Sequence, residues 1–470
     1  MTLPFVREMF QALARNSPLA RASAAARRHE PCALGGLTPS AQLMATALLQ
    51  RSGHRPVLLL VPDNGTAEEW CETLASFAEL SGGDGDDSEH PLLLPGFEID
   101  PYEGLSPHPA ILEQRGLALW RSTDAGVPFL IVPAVAAATR LAAPDHYRHL
   151  AQRLRRGDLL DLEGLAQRLT EMGYQRQDPV EAPGQFSIRG GLLDVFSPEA
   201  GRPVRIELFG DEIESLREFD PATQRSVATE LHDALLVSLT SLPLSAELQQ
   251  KLGGGTAPGW EFQVPGLLGY AHSVFDLMEK PLVVVSEPEA LRNELERWWR
   301  RLRQRSAMAP PGAPAPESIF WTPEEFAGRL GAAAPIELRE LAVEELDLSA
   351  EALEIAGSVR AELASIVFSS RPVVRPAGSL AELMQDYRAQ LQGGERLLFL
   401  GANPGEVERL ADLFTEYRLP FQFGVRPLRA GSDFLAEKAY YSSSENVAVL
   451  AEGSLLRGFS LPAQHFTILG

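Results

Sequence analysis

Residues 36–43 have the length and pattern of a phosphate-binding loop, in which backbone N–H groups and a lysine hold the phosphates of a nucleotide. The working pattern is a glycine, four residues and then Gly-Lys-Ser/Thr, whereas this sequence reads Gly-Leu-Thr-Pro-Ser-Ala-Gln-Leu. Gly36 retains the first position, but Ala41 adds a Cβ where the backbone must approach phosphate closely. Gln42 replaces the lysine and Leu43 replaces the hydroxyl that would ligate magnesium. The sequence therefore predicts a nucleotide site that has lost ATP hydrolysis.

Residues 283–287 (VVVSE) resemble the strand that ends in Asp-Glu in nucleotide hydrolases. Ser286 stands at the aspartate position, so the carboxylate that orients magnesium is missing, while Glu287 keeps the second acid. Spacing alone leaves a plainer interpretation open, in which 36–43 is a turn before a helix and 283–287 is a core strand.

A second group of candidates surrounds the Gly-Gly turn at residues 190 and 191. Arginine pairs bidentately with carboxylates, and interfaces combine such groups with an apolar centre. These residue types are the candidates for contact with a protein partner, with the arginines on one face and two apolar residues at its centre: Arg176, Arg189, Arg205, Leu193 and Phe196. The alternative for Leu193 and Phe196 is that they belong to the core, because both lie in or beside a predicted strand.

The carboxylates Glu207, Asp211, Glu212 and Glu214 could in principle perform acid–base or metal chemistry. The run Gly210-Asp211-Glu212 instead favours a hairpin turn with solvated flanks. Cys32 and Cys71 are too far apart in sequence to suggest a zinc site or a disulfide framework, and the nine histidines show no metal-binding spacing. We therefore predict no metal site.

Residues 288–305 predict a long helix rich in arginine, with two tryptophans. Basic and aromatic side chains together can hold nucleic acid, which makes Arg297, Arg300 and Arg301 candidate DNA contacts. The alternative is a helix with solvated arginines and one buried tryptophan, or a surface that packs against another part of the protein.

The overall composition of the chain disfavours several classes of function. The 470 residues carry a net charge of −21, which disfavours general nucleic-acid binding because phosphate contacts need lysine and arginine. No continuous apolar run is long enough to cross a membrane, and the N-terminus does not resemble a secretion signal. The low cysteine content is typical of the reducing cytoplasm, and we predict a cytoplasmic protein with no membrane partner.

Alternating apolar strands and helices predict a mostly parallel sheet. The predicted buried strands are 56–62, 91–94, 129–132, 281–287 and 396–401, with helices at 67–77, 159–172, 288–305 and 404–417. Residues 82–89 predict an acidic, solvated loop, and 464–470 predict a strand cut off at its end. These elements give the domain boundaries 1–142 and 241–350 for one α/β domain in two parts, 143–240 for an α+β insert, 351–372 for a linker and 373–470 for a small α/β domain.

Residues 184–196 (GQFSIRGGLLDVF), 203–220 (PVRIELFGDEIESLREFD) and 220–226 (DPATQRS) resemble the module that the repair helicase UvrB shares with bacterial transcription-repair coupling factors (Mfd). Both decayed nucleotide motifs fall where UvrB carries working ones. The resemblance implies a degenerate RecA-like, helicase-type sheet domain with an inserted UvrA-binding module, which is the pattern of the N-terminal region of the coupling factors. It covers essentially the whole chain with uneven specificity, although residues 57–130 contain no aromatic-rich hairpin like the one with which UvrB clamps DNA.

The resemblance also implies a function. The insert would bind UvrA, the damage-sensing ATPase of nucleotide excision repair, and bring it to RNA polymerase stalled at a lesion. This chain would need no cofactor. ATP, magnesium, double-stranded DNA and RNA polymerase would be bound by other domains of the complete family member, whose C-terminal half would cover the UvrA-binding surface. The alternatives are a UvrB-like ATP-dependent DNA helicase and a DNA-binding module that uses the arginine-rich helix.

Overall fold

The computed structural model describes residues 4–15, 17–82, 90–124, 126–341, 364–373, 379–424 and 446–470. Within these ranges the strands form four sheets, of seven, six, two and six strands, with helices around them. The predicted multidomain α/β class is therefore confirmed. Most of the predicted acidic loop at 82–89 lies outside the described residues.

The first sheet is parallel throughout, as its alternation of strands and helices predicts. Its strand order is β15-β1-β14-β13-β2-β4-β3. The strands are β1 (Cys32–Gly35), β2 (Val57–Val61), β3 (Leu92–Leu93), β4 (Phe129–Pro133), β13 (Leu282–Ser286), β14 (Ile336–Arg339) and β15 (Ala364–Val367). All five residues of β2 are buried because helices cover both faces of the sheet.

The helices divide between the two faces of this sheet. One face packs against α1 (Pro4–Ala14), α2 (Ser17–Arg28), α3 (Pro39–Gly53) and α4 (Asn64–Leu80). The other packs against α5 (Pro109–Asp124), α6 (Ala134–Ala137), α7 (Pro144–Arg148), α11 (Pro288–Ala307) and α13 (Pro323–Ala332). Three short helices lie in the connections: α9 (Ala246–Lys251), α10 (Val264–Leu268) and α12 (Pro316–Ile319). The first two helices were not predicted from the sequence.

The α+β insert lies between β4 and β13. Its six-stranded sheet has the order β11-β10-β9-β8-β7-β6, and β5 pairs separately with β12. The elements are β5 (Ala151–Arg155), α8 (Leu162–Glu171), β6 (Gln175–Arg176), β7 (Gln185–Arg189), β8 (Leu192–Val195), β9 (Val204–Phe209), β10 (Glu212–Phe219), β11 (Ser226–Glu230) and β12 (Asp233–Val237). Apolar residues from alternate strand positions pack with α8 to form a separate core.

The last sheet has the order β16-β20-β21-β17-β19-β18. Its elements are β16 (Arg371–Pro372), α14 (Leu380–Gln392), β17 (Arg396–Gly401), α15 (Pro404–Glu416), β18 (Phe421–Phe423), β19 (Ala448–Glu452), β20 (Phe459–Leu461) and β21 (Phe466–Leu469). The predicted linker at 351–372 needs correction, because β15 is an edge strand of the first sheet and β16 begins the last sheet. No described helix is long and apolar enough to cross a membrane.

Candidate protein-binding site on the insert

Strand alternation gives the insert sheet two different faces. Cross-strand neighbours in register share a face, and the register aligns Arg189 with Leu192, Leu192 with Glu207 and Asp194 with Arg205. The opposite face carries Phe186, Ile188, Leu193, Val195 and Ile206, which form the core with α8. We call the first face the polar face. It holds Arg189 and Arg205 together, as the sequence predicts.

A buried carboxylate joins these two arginines. Asp194 is 1% exposed. Its Oδ2 accepts hydrogen bonds from Nη2 of Arg189 at 2.7 Å and Nη2 of Arg205 at 2.9 Å, and its Oδ1 accepts from Nε of Arg205 at 2.8 Å. The hydrogen bonds from Arg205 to Asp194 raise the pKa of Arg205, although desolvation opposes them. One buried carboxylate therefore holds both guanidiniums in place on the polar face.

The two arginines differ in accessibility. The side chain of Arg189 is 45% exposed, and its Nη1 also donates to Asp178 Oδ1 at 3.0 Å. The side chain of Arg205 is 15% exposed, and its Nη1 donates to the Gln224 carbonyl oxygen at 3.2 Å. Arg189 therefore has the larger surface available to a partner, whereas Arg205 is held deeper in the sheet.

Two predicted contact residues prove to be buried. Leu193 is fully buried in the core beneath the sheet, so it does not present an apolar centre to a partner. Phe196 is 8% exposed and packs with Val180 and Phe219 in a small cluster. The Arg205 guanidinium lies over the Phe219 ring at 4.7 Å. Phe196 therefore helps to position Arg205 through its packing against Phe219, and it is not exposed to a partner.

Arg176 is also not placed as the sequence suggests. It lies exposed on the edge strand β6. Its register neighbour on β7 is Phe186, which belongs to the core side of the sheet. Arg176 therefore does not share the polar face with Arg189 and Arg205.

Sequence reasoning missed the most exposed apolar residues of the insert. Phe209 and Leu159 are each 81% exposed. Phe209 pairs with Glu212 across the hairpin, and Leu159 forms an isolated bridge with the same glutamate on its other side. The two apolar side chains thus flank Glu212 at the edge of the polar face. The sequence did contain a signal that Phe209 is exposed: it directly precedes the Gly-Asp turn of a hairpin, and a side chain beside such a turn does not reach the core.

The clustered carboxylates form a hairpin, as predicted. The β9–β10 turn contains Gly210, whose φ of +63° lies in the left-handed region that favours glycine. Glu207 accepts a hydrogen bond from Ser215 Oγ at 2.9 Å. Among the described residues, no group of three or more His, Cys, Asp or Glu side chains could hold a metal ion.

The degenerate nucleotide loop is filled by its own side chains. Gln42 is buried, and its Nε2 donates to Glu287 Oε1 at 2.7 Å and to the Leu37 carbonyl oxygen at 3.2 Å. Its Oε1 accepts from Ser286 Oγ at 2.8 Å. Glu287 Oε1 also accepts from the Glu340 backbone N–H at 2.7 Å. The residues of both decayed motifs therefore meet, and they hydrogen-bond to one another where a working site holds phosphate and magnesium.

Further groups contact the same loop from elsewhere in the chain. Ser370 Oγ accepts from the Thr38 N–H at 2.7 Å, and Ser40 Oγ donates to the Arg457 carbonyl oxygen at 2.7 Å. Ala41 and Leu43 are completely buried. The backbone donor at Thr38, near the start of α3, is thus already engaged within the protein.

The arginine-rich helix α11 shows a mixed surface. Trp298 is buried and Trp299 is half-buried, while Arg300 and Arg301 are exposed. Arg297 pairs with Glu294 at 2.5 Å, and Arg305 pairs with Asp100 and with Glu103. These contacts agree with the interpretation of a packed helix with solvated arginines, and they leave Arg300 and Arg301 without an ion pair among the described residues.

Comparison with known proteins identifies the domain to which the insert is similar. A family model described as the UvrB interaction domain matches residues 153–238, which lie within the insert. The structure is thus that of a multidomain α/β protein that carries a UvrB interaction domain.

The matches to related proteins cover more of the chain than the insert alone. The chain is 38% identical over 194 residues to the transcription-repair-coupling factor of Myxococcus xanthus, covering 41% of this chain and 16% of that protein. It is 32% identical over 196 residues to that of Bacillus subtilis, covering 42% and 16%. A match to that of Haemophilus influenzae is 24% identical over 419 residues, covering 82% of this chain and 34% of the relative. The chain is therefore related to the bacterial transcription-repair coupling factors, and its matched part spans about a third of their length or less.

Proposed function

We propose that this chain binds UvrA through the polar face of the insert and thereby couples nucleotide excision repair to transcription. The observation that carries the proposal is the pair Arg189 and Arg205, held by the buried Asp194 in a domain that matches the UvrB interaction domain. Fixed guanidiniums suit an acidic partner surface because little side-chain entropy is lost when they bind. Phe209 and Leu159 would add apolar area beside them.

The first experiment is calorimetric titration of UvrA into the chain and into its Arg189→Glu variant. We expect the reversal to weaken binding about 100-fold or more, since truncating or reversing a central charged contact costs roughly 2–5 kcal/mol. Arg303→Glu, the same reversal on the exposed surface of α11, serves as the matched control and should bind normally. Unchanged affinity of Arg189→Glu, or no binding by the unaltered chain to UvrA that binds UvrB, would refute the proposal.

We also infer that this chain does not hydrolyse ATP. Gln42, Ser286 and Glu287 hydrogen-bond to one another where a working site needs a lysine and a magnesium-orienting aspartate.

In the complete coupling factors, regions outside the matched part would bind ATP and magnesium, move on double-stranded DNA and contact RNA polymerase. Coverage of the polar face by the C-terminal half would regulate UvrA binding, and such a protein would act in the cytoplasm.

A second candidate function is DNA binding by α11, favoured by the exposed Arg300 and Arg301. Each phosphate contact makes affinity fall with salt. If this helix binds DNA, Arg300→Glu with Arg301→Glu would abolish a steeply salt-dependent affinity. Affinity that is absent or unaltered by this double change would exclude the helix as a DNA contact.

A further inference from the structure

A cleft of about 670 Å³ opens at the amino edge of the first sheet, at the opposite end from the degenerate nucleotide loop. We call it the amino-edge cleft. It lies beside the residues that precede β2 and β13, and the end of α13 forms another wall. Its volume is in the range of small-molecule sites. None of the residues proposed above to bind UvrA lines this cleft.

The cleft carries an excess of positive charge. Four potentially cationic side chains line it, His29, Arg55, Lys280 and Arg329, against a single carboxylate, Asp276. That carboxylate already accepts hydrogen bonds from the Ser273 N–H at 2.8 Å and the Ser273 hydroxyl at 2.9 Å. Among the described residues, Arg55, Lys280 and Arg329 form no ion pair.

Two of these cations are held rigidly. The three nitrogens of the Arg55 guanidinium donate to the backbone carbonyl oxygens of Lys280, Ala26 and Pro281 at 2.8, 3.3 and 3.0 Å. Arg329 stacks on the Trp321 ring at 3.7 Å, and Arg140 stacks on the same ring at 3.6 Å. The positive charge is therefore preorganised and does not depend on mobile side chains alone.

Apolar groups form the rest of the lining. Phe275, Pro281, Val283, Ala332 and Ala333 lie in the cleft together with the cations. An inorganic anion would neutralise the cations but would leave this apolar surface exposed to water. A ligand with a ring and a phosphate group would use both, because guanidinium groups recognise phosphate and apolar side chains cover a ring.

We propose that the amino-edge cleft binds a small phosphate-bearing ligand with an apolar or aromatic ring, of which nucleotides are the simplest example. The phosphates lie among Arg55, Lys280 and Arg329, and the ring lies on Phe275 and Val283. Binding needs no magnesium, because the cations of the cleft supply the charge. This site is independent of UvrA binding and of the degenerate loop.

The test is calorimetric titration of the full chain with ATP in the presence of a magnesium chelator. We expect binding that Arg329→Glu and Lys280→Glu each weaken about 10-fold or more, which corresponds to loss of one charged hydrogen bond. Lys280 is exposed and free of packing, so its variant remains informative if Arg329→Glu destabilises the fold through Trp321. Arg292→Glu on exposed α11 is the matched control and should bind as the unaltered chain does.

Inorganic triphosphate is the second probe. It should bind more weakly than ATP, because it has no ring to cover Phe275 and Val283. Absence of ATP binding, or binding that neither variant weakens, would overturn the site. Equal affinity for triphosphate and ATP would overturn the apolar part of the proposal.

Discussion

One buried carboxylate organises the two arginines on the polar face of the insert. Asp194 contacts Arg189 on the neighbouring strand β7 and Arg205 on β9, so both guanidiniums keep one orientation without a partner. The sequence allowed the two arginines to be chosen, because one lies before a Gly-Gly turn and the other on the following strand. It did not single out Asp194, which appears as a lone acid in an apolar strand. Only the three-strand register brings it between the arginines.

We expect Asp194→Asn to lower both stability and UvrA affinity. The asparagine retains the shape but leaves two arginines facing each other without the anion, and breaking a buried pair costs roughly 3–5 kcal/mol. Asp178→Asn is the control, because Asp178 is 51% exposed and its pair with Arg189 should contribute about 1 kcal/mol or less. Urea unfolding measures the first effect and calorimetry the second. Equal losses in the two variants would contradict the organising role of Asp194.

The observed strands and helices agree closely with the predicted ones where the periodicity of apolar residues determines the type of element. Buried strands such as β2 and β13, and helices such as α11 and α15, lie within a few residues of their predicted ranges. Leu193 shows the limit at the residue level. The register pairs it with Ile206 and places it on the other face of the sheet from Arg205, whereas the sequence did not decide between the two faces. Helices α1 and α2 were not predicted: their apolar residues pack in a core that also contains α3, α4 and the last sheet, and this packing is not visible in the sequence.

Helix α5 meets the return segment of the insert through a glycine. A Cβ at Gly116 would lie 2.9 Å from the backbone carbon of Thr240 and 3.0 Å from its oxygen. We expect Gly116→Ala to destabilise the protein by about 1–3 kcal/mol, since backbone on both sides must shift. Gly328→Ala in α13 is the control, because nothing lies within 4 Å of its added Cβ. At Gly328, the gain in helix propensity should stabilise the protein by about 0.5–1 kcal/mol. Urea unfolding that ranks the two variants in the opposite order would contradict this account of the contact.

At the scale of the whole molecule, the first and last sheets share one apolar core although the sequence separates them. The core contains Val57 and Leu59 of β2 together with Phe459 of β20 and Ile468 of β21. Phe10 of α1 lies between them. This continuity could not be predicted from periodicity, which shows that a strand is buried but not what covers it. The insert has its own core, and Val237 of β12 packs into the core on the other face of the first sheet.

We therefore expect Phe10→Ala to weaken both sheet domains together. Phe10 is completely buried, and its ring lies 6.2 Å from that of Phe77 in α4 and 6.1 Å from that of Phe466 in β21. Removing it leaves a cavity between the two domains, which should cost about 3–5 kcal/mol. In native-state hydrogen exchange, amides of β2 and β21 should lose protection in parallel, because both strands contribute to the damaged core. Leu193→Ala, a cavity of similar kind in the core of the insert, should reduce protection in β8 and β9 and leave β21 unchanged. If Phe10→Ala affects only one of the two sheets, the domains unfold independently and the shared core does not couple them.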